Sequence, residues 1–169
     1  MTNEQTPEHL RHKPLTPLER PRELVLACPA FKSQVNLSRI VRLAGSASVE
    51  KVIACGTGKL DPTIARDGCE HVVVERRRTL LPVLKKLKQE NYRLVGLEQT
   101  DRSQLIFEYS YCRRTALVIG HERFGITDEE LAWVDDLIEI PVYGLPFSYN
   151  VVTATTMAVY EYCRQFPQG

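Results

Sequence analysis

Residues 117–162 read LVIGHERFGITDEELAWVDDLIEIPVYGLPFSYNVVTATTMAVYEY. Two apolar strands, Leu117 to Ile119 and Leu137 to Ile140, each run into a loop rich in glycine, proline and small polar residues. The first loop carries Glu122 just past Gly120, and the second carries Ser148 and Asn150 at the mouth of an apolar helix, about Val151 to Arg164. Polar side chains and exposed backbone at strand ends, on rigid supports, are where α/β proteins build binding sites. Thr127 followed by Glu130 has the spacing of a capping box for a short helix between the two strands.

The same alternation runs upstream. Leu24 to Cys28 is an apolar run of strand length, and Val52 to Ala54, Val72 to Val74 and Tyr92 to Leu97 are others. Leu37, Ile40, Val41 and Ala44 recur at helical spacing after Asn36, the expected N-cap, and Gly45 marks the end. Thr79 precedes a helix with Leu80, Leu84 and Leu87 on one face, and Pro82 falls in its tolerated first turn. Val151, Thr155, Ala158 and Tyr162 form the inward stripe of the last helix. Short apolar strands alternating with helices predict an α/β fold with a mostly parallel sheet covered by helices on both faces.

At 169 residues the chain is one domain of ordinary size. Residues 1–22, polar and holding Pro14, Pro17 and Pro21, are expected to be an arm, and residues 23–169 the folded domain. The N-terminus has no apolar stretch and no run approaches the roughly 20 residues of a membrane span, so a cytoplasmic protein is expected. The net charge of +1 gives no global sign of nucleic-acid binding, although Arg76 to Arg78 and Arg11, His12, Lys13, Arg20 and Arg22 cluster locally. Cys28, Cys55, Cys69, Cys112 and Cys163 include no C-x-x-C pair, and no metal is implied.

The common nucleotide motifs fail. Gly56-Thr57-Gly58-Lys59 lacks the earlier glycine of a P-loop, since position 53 is Ile, and Leu60 stands where Ser or Thr is required. A Rossmann fingerprint fails at Asp61, so the loop reads as a turn.

Three polar sets remain: Asn36 with Arg42 six residues later; Glu122 within Gly120-His121-Glu122-Arg123-Phe124-Gly125; and Ser148-Tyr149-Asn150 after Ile140-Pro141-Val142-Tyr143-Gly144. In order and spacing they resemble the three motifs of the TrmH-like RNA ribose 2′-O-methyltransferases of the SPOUT superfamily, over about residues 24 to 165. The resemblance implies a C-terminal trefoil knot, a homodimer, and S-adenosyl-L-methionine held largely by backbone near Leu97, Glu98, Gly120, Ile140, Leu145 and Tyr149. It implies catalytic roles for Arg42, Asn36, Glu122, Ser148 and Asn150. Arg42 is then either a general base or a clamp on a phosphate beside the ribose. The chain departs from the family pattern at Ser38, Leu43, Tyr149 and Val152.

The stretches Tyr92 to Thr100 and Tyr160 to Gln165 resemble the branch acting on a D-loop guanosine of tRNA. An rRNA methyltransferase and a non-catalytic RNA-binding relative are the alternatives, and retention of Arg42 and Glu122 speaks against the second. An unrelated doubly wound nucleotide enzyme would need a glycine-rich loop after the first strand, which this chain lacks.

Overall fold

The computed structural model describes residue 9 and residues 13–169. Residues 1–8 and 10–12 of the expected arm, with Arg11 and His12, lie outside the described residues. The described part of the arm is mostly exposed until Arg22, which is buried and donates from its guanidinium to the Phe166 carbonyl. Glu19 N–H also donates to Gln168 O at 3.0 Å, so the segment before the first strand lies along the C-terminus.

Seven strands form one sheet: β1 Leu24–Cys28, β2 Lys51–Cys55, β3 Val73–Arg77, β4 Arg93–Leu97, β5 Gln104–Leu105, β6 Thr115–Ile119 and β7 Asp136–Glu139. Their order across the sheet is β3-β2-β1-β6-β4-β7-β5, and every strand pairing is parallel. Strands in the middle of a parallel sheet are covered on both faces, so β1 and β6 are buried at every position. Successive residues of β1 serve opposite cores. Leu24, Leu26 and Cys28 join the cluster of Ile40, Val41, Ala158 and Tyr162, whereas Val25 and Ala27 join Leu84 and Leu87. Helices α1 Gln34–Ser46 and α6 Val151–Gln165 cover the first face. Helices α4 Leu80–Gln89 and α5 Asp128–Leu131 belong to the second. Two short helices, α2 Pro62–Ala65 and α3 Gly68–His71, pack on α1.

The expected alternation holds, with corrections. The N-cap of α1 is Ser33, not Asn36: the helix starts at Gln34, and Ser33 Oγ accepts the Asn36 N–H at 3.3 Å. The Asn36 side chain is committed elsewhere. Thr79 stands at the start of α4 but makes no side-chain capping bond. The third strand runs Val73–Arg77 rather than Val72 to Val74, carrying two arginines along the open edge where solvent bathes one side. That strand is not apolar on both faces, because β3 has a neighbour on one side only. α2, α3 and β5 were not expected; each has four residues or fewer, too few to show a period. The Thr127–Glu130 capping box forms as read, and Asn150 caps α6, accepting the Val152 N–H at 2.9 Å. Among the described residues, no helix is long and apolar enough to cross a membrane.

Candidate functional site

The C-terminal ends of β4, β6 and β7 open into a cleft of about 460 Å³, walled on its far side by the start of α6 and touched by α1 through Asn36. Parallel sheets concentrate their loops at this edge. The cleft sits where the strand order breaks, since β6 lies on one side of β4 and β7 on the other.

Glu122 ties the first two polar sets together. Its Oε1 accepts Asn36 Nδ2–H at 3.0 Å and the Ser33 N–H at 3.2 Å, and its Oε2 accepts the Lys32 N–H at 3.1 Å. Partial burial opposes ionisation of this carboxylate, but the donors from Asn36, Lys32 and Ser33 outweigh it and hold the pKa below the usual glutamate range. His121 Nε2 stands 3.7 Å from the same carboxylate, while its Nδ1 accepts the Arg123 N–H at 3.1 Å, which places the ring proton on Nε2. The β6 loop is thereby fixed to the first turn of α1.

Glu98 shapes the same loop from the other side. Its Oε2 accepts the Ile126 N–H at 2.9 Å. A Cβ on Gly125, whose φ is +65°, would fall 2.4 Å from that oxygen, and a Cβ on Gly120 would fall 3.0 Å from it and from Gly125 backbone. His121 and Gly125 exchange both backbone hydrogen bonds at 2.9 Å, closing the turn. The two glycines of this loop are there because a carboxylate and a tight turn occupy the space of their side chains.

The second loop, residues 140–150, is more open. Ser148 and Asn150 line the cleft, and the Tyr149 hydroxyl reaches the Pro141 carbonyl at 3.5 Å across the base of the loop. Tyr143, Leu145 and Phe147 are about 80–90% exposed (91%, 79% and 81%).

Nine of the eleven expected site residues therefore line one cleft: Asn36, Glu122, Ser148 and Asn150, with Leu97, Glu98, Gly120, Ile140 and Tyr149. Two do not. Leu145 faces an adjacent hollow shared with Gln99 and Phe147. Arg42 is exposed on α1, outside the cleft lining. Six residues separate Asn36 from Arg42, about 120° around a helix, so one face cannot present both. Gln99, Ile119, His121, Arg123, Gly125, Glu139, Val142, Val151 and Ala154 complete the lining. Of these, His121, Arg123, Gly125 and Val142 lie inside the quoted motifs, and only their place beside the expected residues could have drawn attention. The sequence reading also took Glu98 for its backbone, whereas its side chain organises the loop.

Three departures from the family pattern have local settings. Ser38 is fully buried, donates to the Gln34 carbonyl at 2.8 Å and accepts the Asp61 N–H at 2.9 Å, so it fastens the segment after β2 to α1. Leu43 and Val152 pack against the core cluster of the α1 and α6 face.

The cleft combines apolar walls (Leu97, Ile119, Ile140, Val151), free backbone edges and the carboxylates Glu98, Glu122 and Glu139. Such a lining suits a small, partly apolar ligand with hydrogen-bonding groups and positive charge.

The chain is similar to known proteins in sequence and in fold. Residues 23–160 match the sequence profile described as the SpoU rRNA Methylase family. A tRNA (guanosine(18)-2'-O)-methyltransferase of Escherichia coli K12 is 32% identical over 133 residues, 77% of this chain; the chain spans 58% of that relative's length. The TrmH/SpoU tRNA modifying enzyme of A. aeolicus superposes with a TM-score of 0.81 at 27% identity, covering 88% of this chain and 77% of that one. The SpoU methyltransferase AviRb of Streptomyces viridochromogenes, solved in complex with the cofactor AdoMet, has the same fold (TM-score 0.75, 22% identity, 90% of this chain and 64% of that chain). With the profile spanning all but the two ends of the chain, this protein belongs to the SpoU rRNA methylase family.

Proposed function

We propose that the protein is an S-adenosyl-L-methionine-dependent RNA methyltransferase that modifies a ribose 2′-hydroxyl of tRNA, in the cytoplasm and as a homodimer. The observation that carries this reading is the Glu122 bridge, which brings Asn36 to the mouth of a cleft built by the β4, β6 and β7 loops. The A. aeolicus and E. coli relatives, both named for tRNA modification, support tRNA as the substrate class. A guanosine is the target that the E. coli relative's name favours.

The lining fits the cofactor. Leu97, Gly120, Ile140 and Tyr149 offer backbone and apolar surface, and the nearby carboxylates suit a cationic ligand. S-adenosyl-L-methionine bound there supplies a methyl group on an electrophilic sulfonium. The chain's own residues orient the acceptor. With Asn36 Nδ2 committed to Glu122, its Oδ1 is left to accept a hydrogen bond from the 2′-hydroxyl. Ser148 and the rigid start of α6 at Asn150 bound the opposite side. As the new C–O bond forms and the C–S bond breaks, the hydroxyl proton leaves to a phosphate oxygen or to water. Arg42 acts as the clamp on that phosphate rather than as the base, because a guanidinium forks onto phosphate oxygens and is a poor proton acceptor.

The homodimer is supported by two features. Arg42 stands off the cleft of its own chain, and an apolar surface around Tyr143, Leu145 and Phe147 is exposed beside it. A second copy that covers this surface can bring its α1 to the cleft mouth and supply the arginine. The trefoil knot is supported by strand order: β7 lies between β4 and β5, which follow one another within a few residues.

The test is methyl transfer from labelled S-adenosyl-L-methionine to an unmodified tRNA transcript, with the product mapped by resistance to alkaline cleavage. The expected result is one alkali-resistant linkage. Label on a base, or none on tRNA or rRNA transcripts, would sink the reading.

A further inference from the structure

The edge of the sheet that bears the cleft continues past it, through the ends of β6, β1, β2 and β3, which lie side by side. Their loops are locked to one another. Lys32 N–H donates to Glu122 Oε2 at 3.1 Å. A Cβ on Gly56, whose φ is +78°, would fall 2.7 Å from Ala30 Cβ, so the β1 and β2 loops touch. Gly56 N–H donates to Arg77 O at 3.0 Å, and Arg76 Nη1 donates to Gly58 O at 2.7 Å, which joins the β2 and β3 loops. The result is one rigid ridge leading from the cleft to the open edge of the sheet.

Arg123, Lys32, Lys59 and Arg78 project from successive loops of this ridge, and all four are exposed. Among the described residues none of them has a carboxylate within ion-pair distance. The acids along the ridge are spent internally. Glu122 holds α1, Asp61 accepts from Thr63 N–H and Oγ1–H, and Glu75 takes Lys51 and Arg77. A chain of net charge +1 thus keeps four unneutralised cations on one line that begins at its cleft.

We infer that this ridge is a track for the phosphate backbone of the RNA, leading away from the modified nucleotide. The inference rests on the methyltransferase reading of the cleft. Three inter-strand steps at about 4.8 Å make the ridge roughly 14 Å long. That length suits a short run of successive phosphates of one strand. The four projecting side chains are all cations, which suits phosphate contacts that position the RNA.

The test is the Lys59→Ala/Arg78→Ala variant, both positions being remote from the cleft lining. Binding of an unmodified tRNA transcript is measured by fluorescence anisotropy across a salt series. The slope of log K against log salt should become shallower by about 1.4–1.8, and affinity at 0.1 M salt should fall roughly tenfold or more. Methylation should show a raised KM for tRNA at unchanged kcat, with S-adenosyl-L-methionine affinity and melting temperature as in the parent. The charge-keeping Lys59→Arg/Arg78→Lys variant should restore the slope. A parental slope and KM in the alanine variant overturn the track, as does a slope that the charge-keeping variant fails to restore. A parent protein that methylates no transcript overturns the reading of the cleft instead, whatever the variant does.

Discussion

Replacing Glu122 with glutamine changes one charge and almost no volume, and it tests whether this carboxylate assembles the site. The parent carboxylate accepts three hydrogen bonds, from Lys32 N, Ser33 N and Asn36 Nδ2. A glutamine carbonyl at the Oε1 position keeps two of them as neutral bonds. Its NH₂ then faces the Lys32 N–H, donor against donor. Hydrogen bonds to a charged group contribute about 1.5–3 kcal/mol and neutral ones about 0.5–1.5. Water reaches part of this carboxylate, so the lower ends apply, and Glu122→Gln should cost about 2 kcal/mol. In a chain of this size that lowers Tm by about 4–8 °C. The sign with pH follows from the lowered pKa. A carboxylate whose folded pKa lies below its unfolded value stabilises fully above the unfolded value, near 4.5, and loses that stabilisation as pH falls through the folded value. The gap between parent and variant should therefore be complete at neutral pH and shrink below about pH 4.5. Thermal melts at pH 7 and pH 4 measure it, and a double-mutant cycle with Asn36→Ala at pH 7 should show a coupling of about 1 kcal/mol. A gap that persists unchanged into acid, or strict additivity with Asn36→Ala, would refute the bridge as the source of the effect.

Gly120→Ala places a methyl 3.0 Å from Glu98 Oε2 and from Gly125 backbone, so cofactor affinity by calorimetry should fall at least tenfold while overpacking costs about 1–3 kcal/mol; parental affinity would refute the loop assignment. Ser38→Gly removes two buried hydrogen bonds and adds a helical glycine, so Tm should drop by the equivalent of about 2 kcal/mol. An unchanged melt would show that the Asp61 tie does not hold the segment. Mixing inactive Arg42→Ala with an inactive Gly120 variant should regenerate about a quarter of parental methylation if each site joins two copies. No recovery after subunit exchange would place Arg42 in action on its own chain.

How much of this was readable beforehand differs by level, for physical reasons. The alternation of strands and helices was legible because central parallel strands such as Leu24–Cys28 and Thr115–Ile119 are buried on both faces and so are almost wholly apolar. Strand order was not, since an apolar run carries no record of its neighbour, and nothing in Asp136–Glu139 says that it lies between β4 and β5. The start of α1 was misread because Ser33 and Asn36 are both good caps, and only the position of Glu122, far along the chain, decides between them. The site followed the same rule. The resemblance to the family's three motifs pointed to nine residues that line one cleft. What the motifs could not convey was which side chains hold the loops and which face the ligand. Glu98 and Glu122 are alike in a sequence, both carboxylates beside a strand end. In the folded chain one fills the space denied to two glycines and the other pins a helix start to a neighbouring loop. Both accept backbone N–H groups of neighbouring loops, so the shape of the site depends on residues that the chemistry itself does not consume.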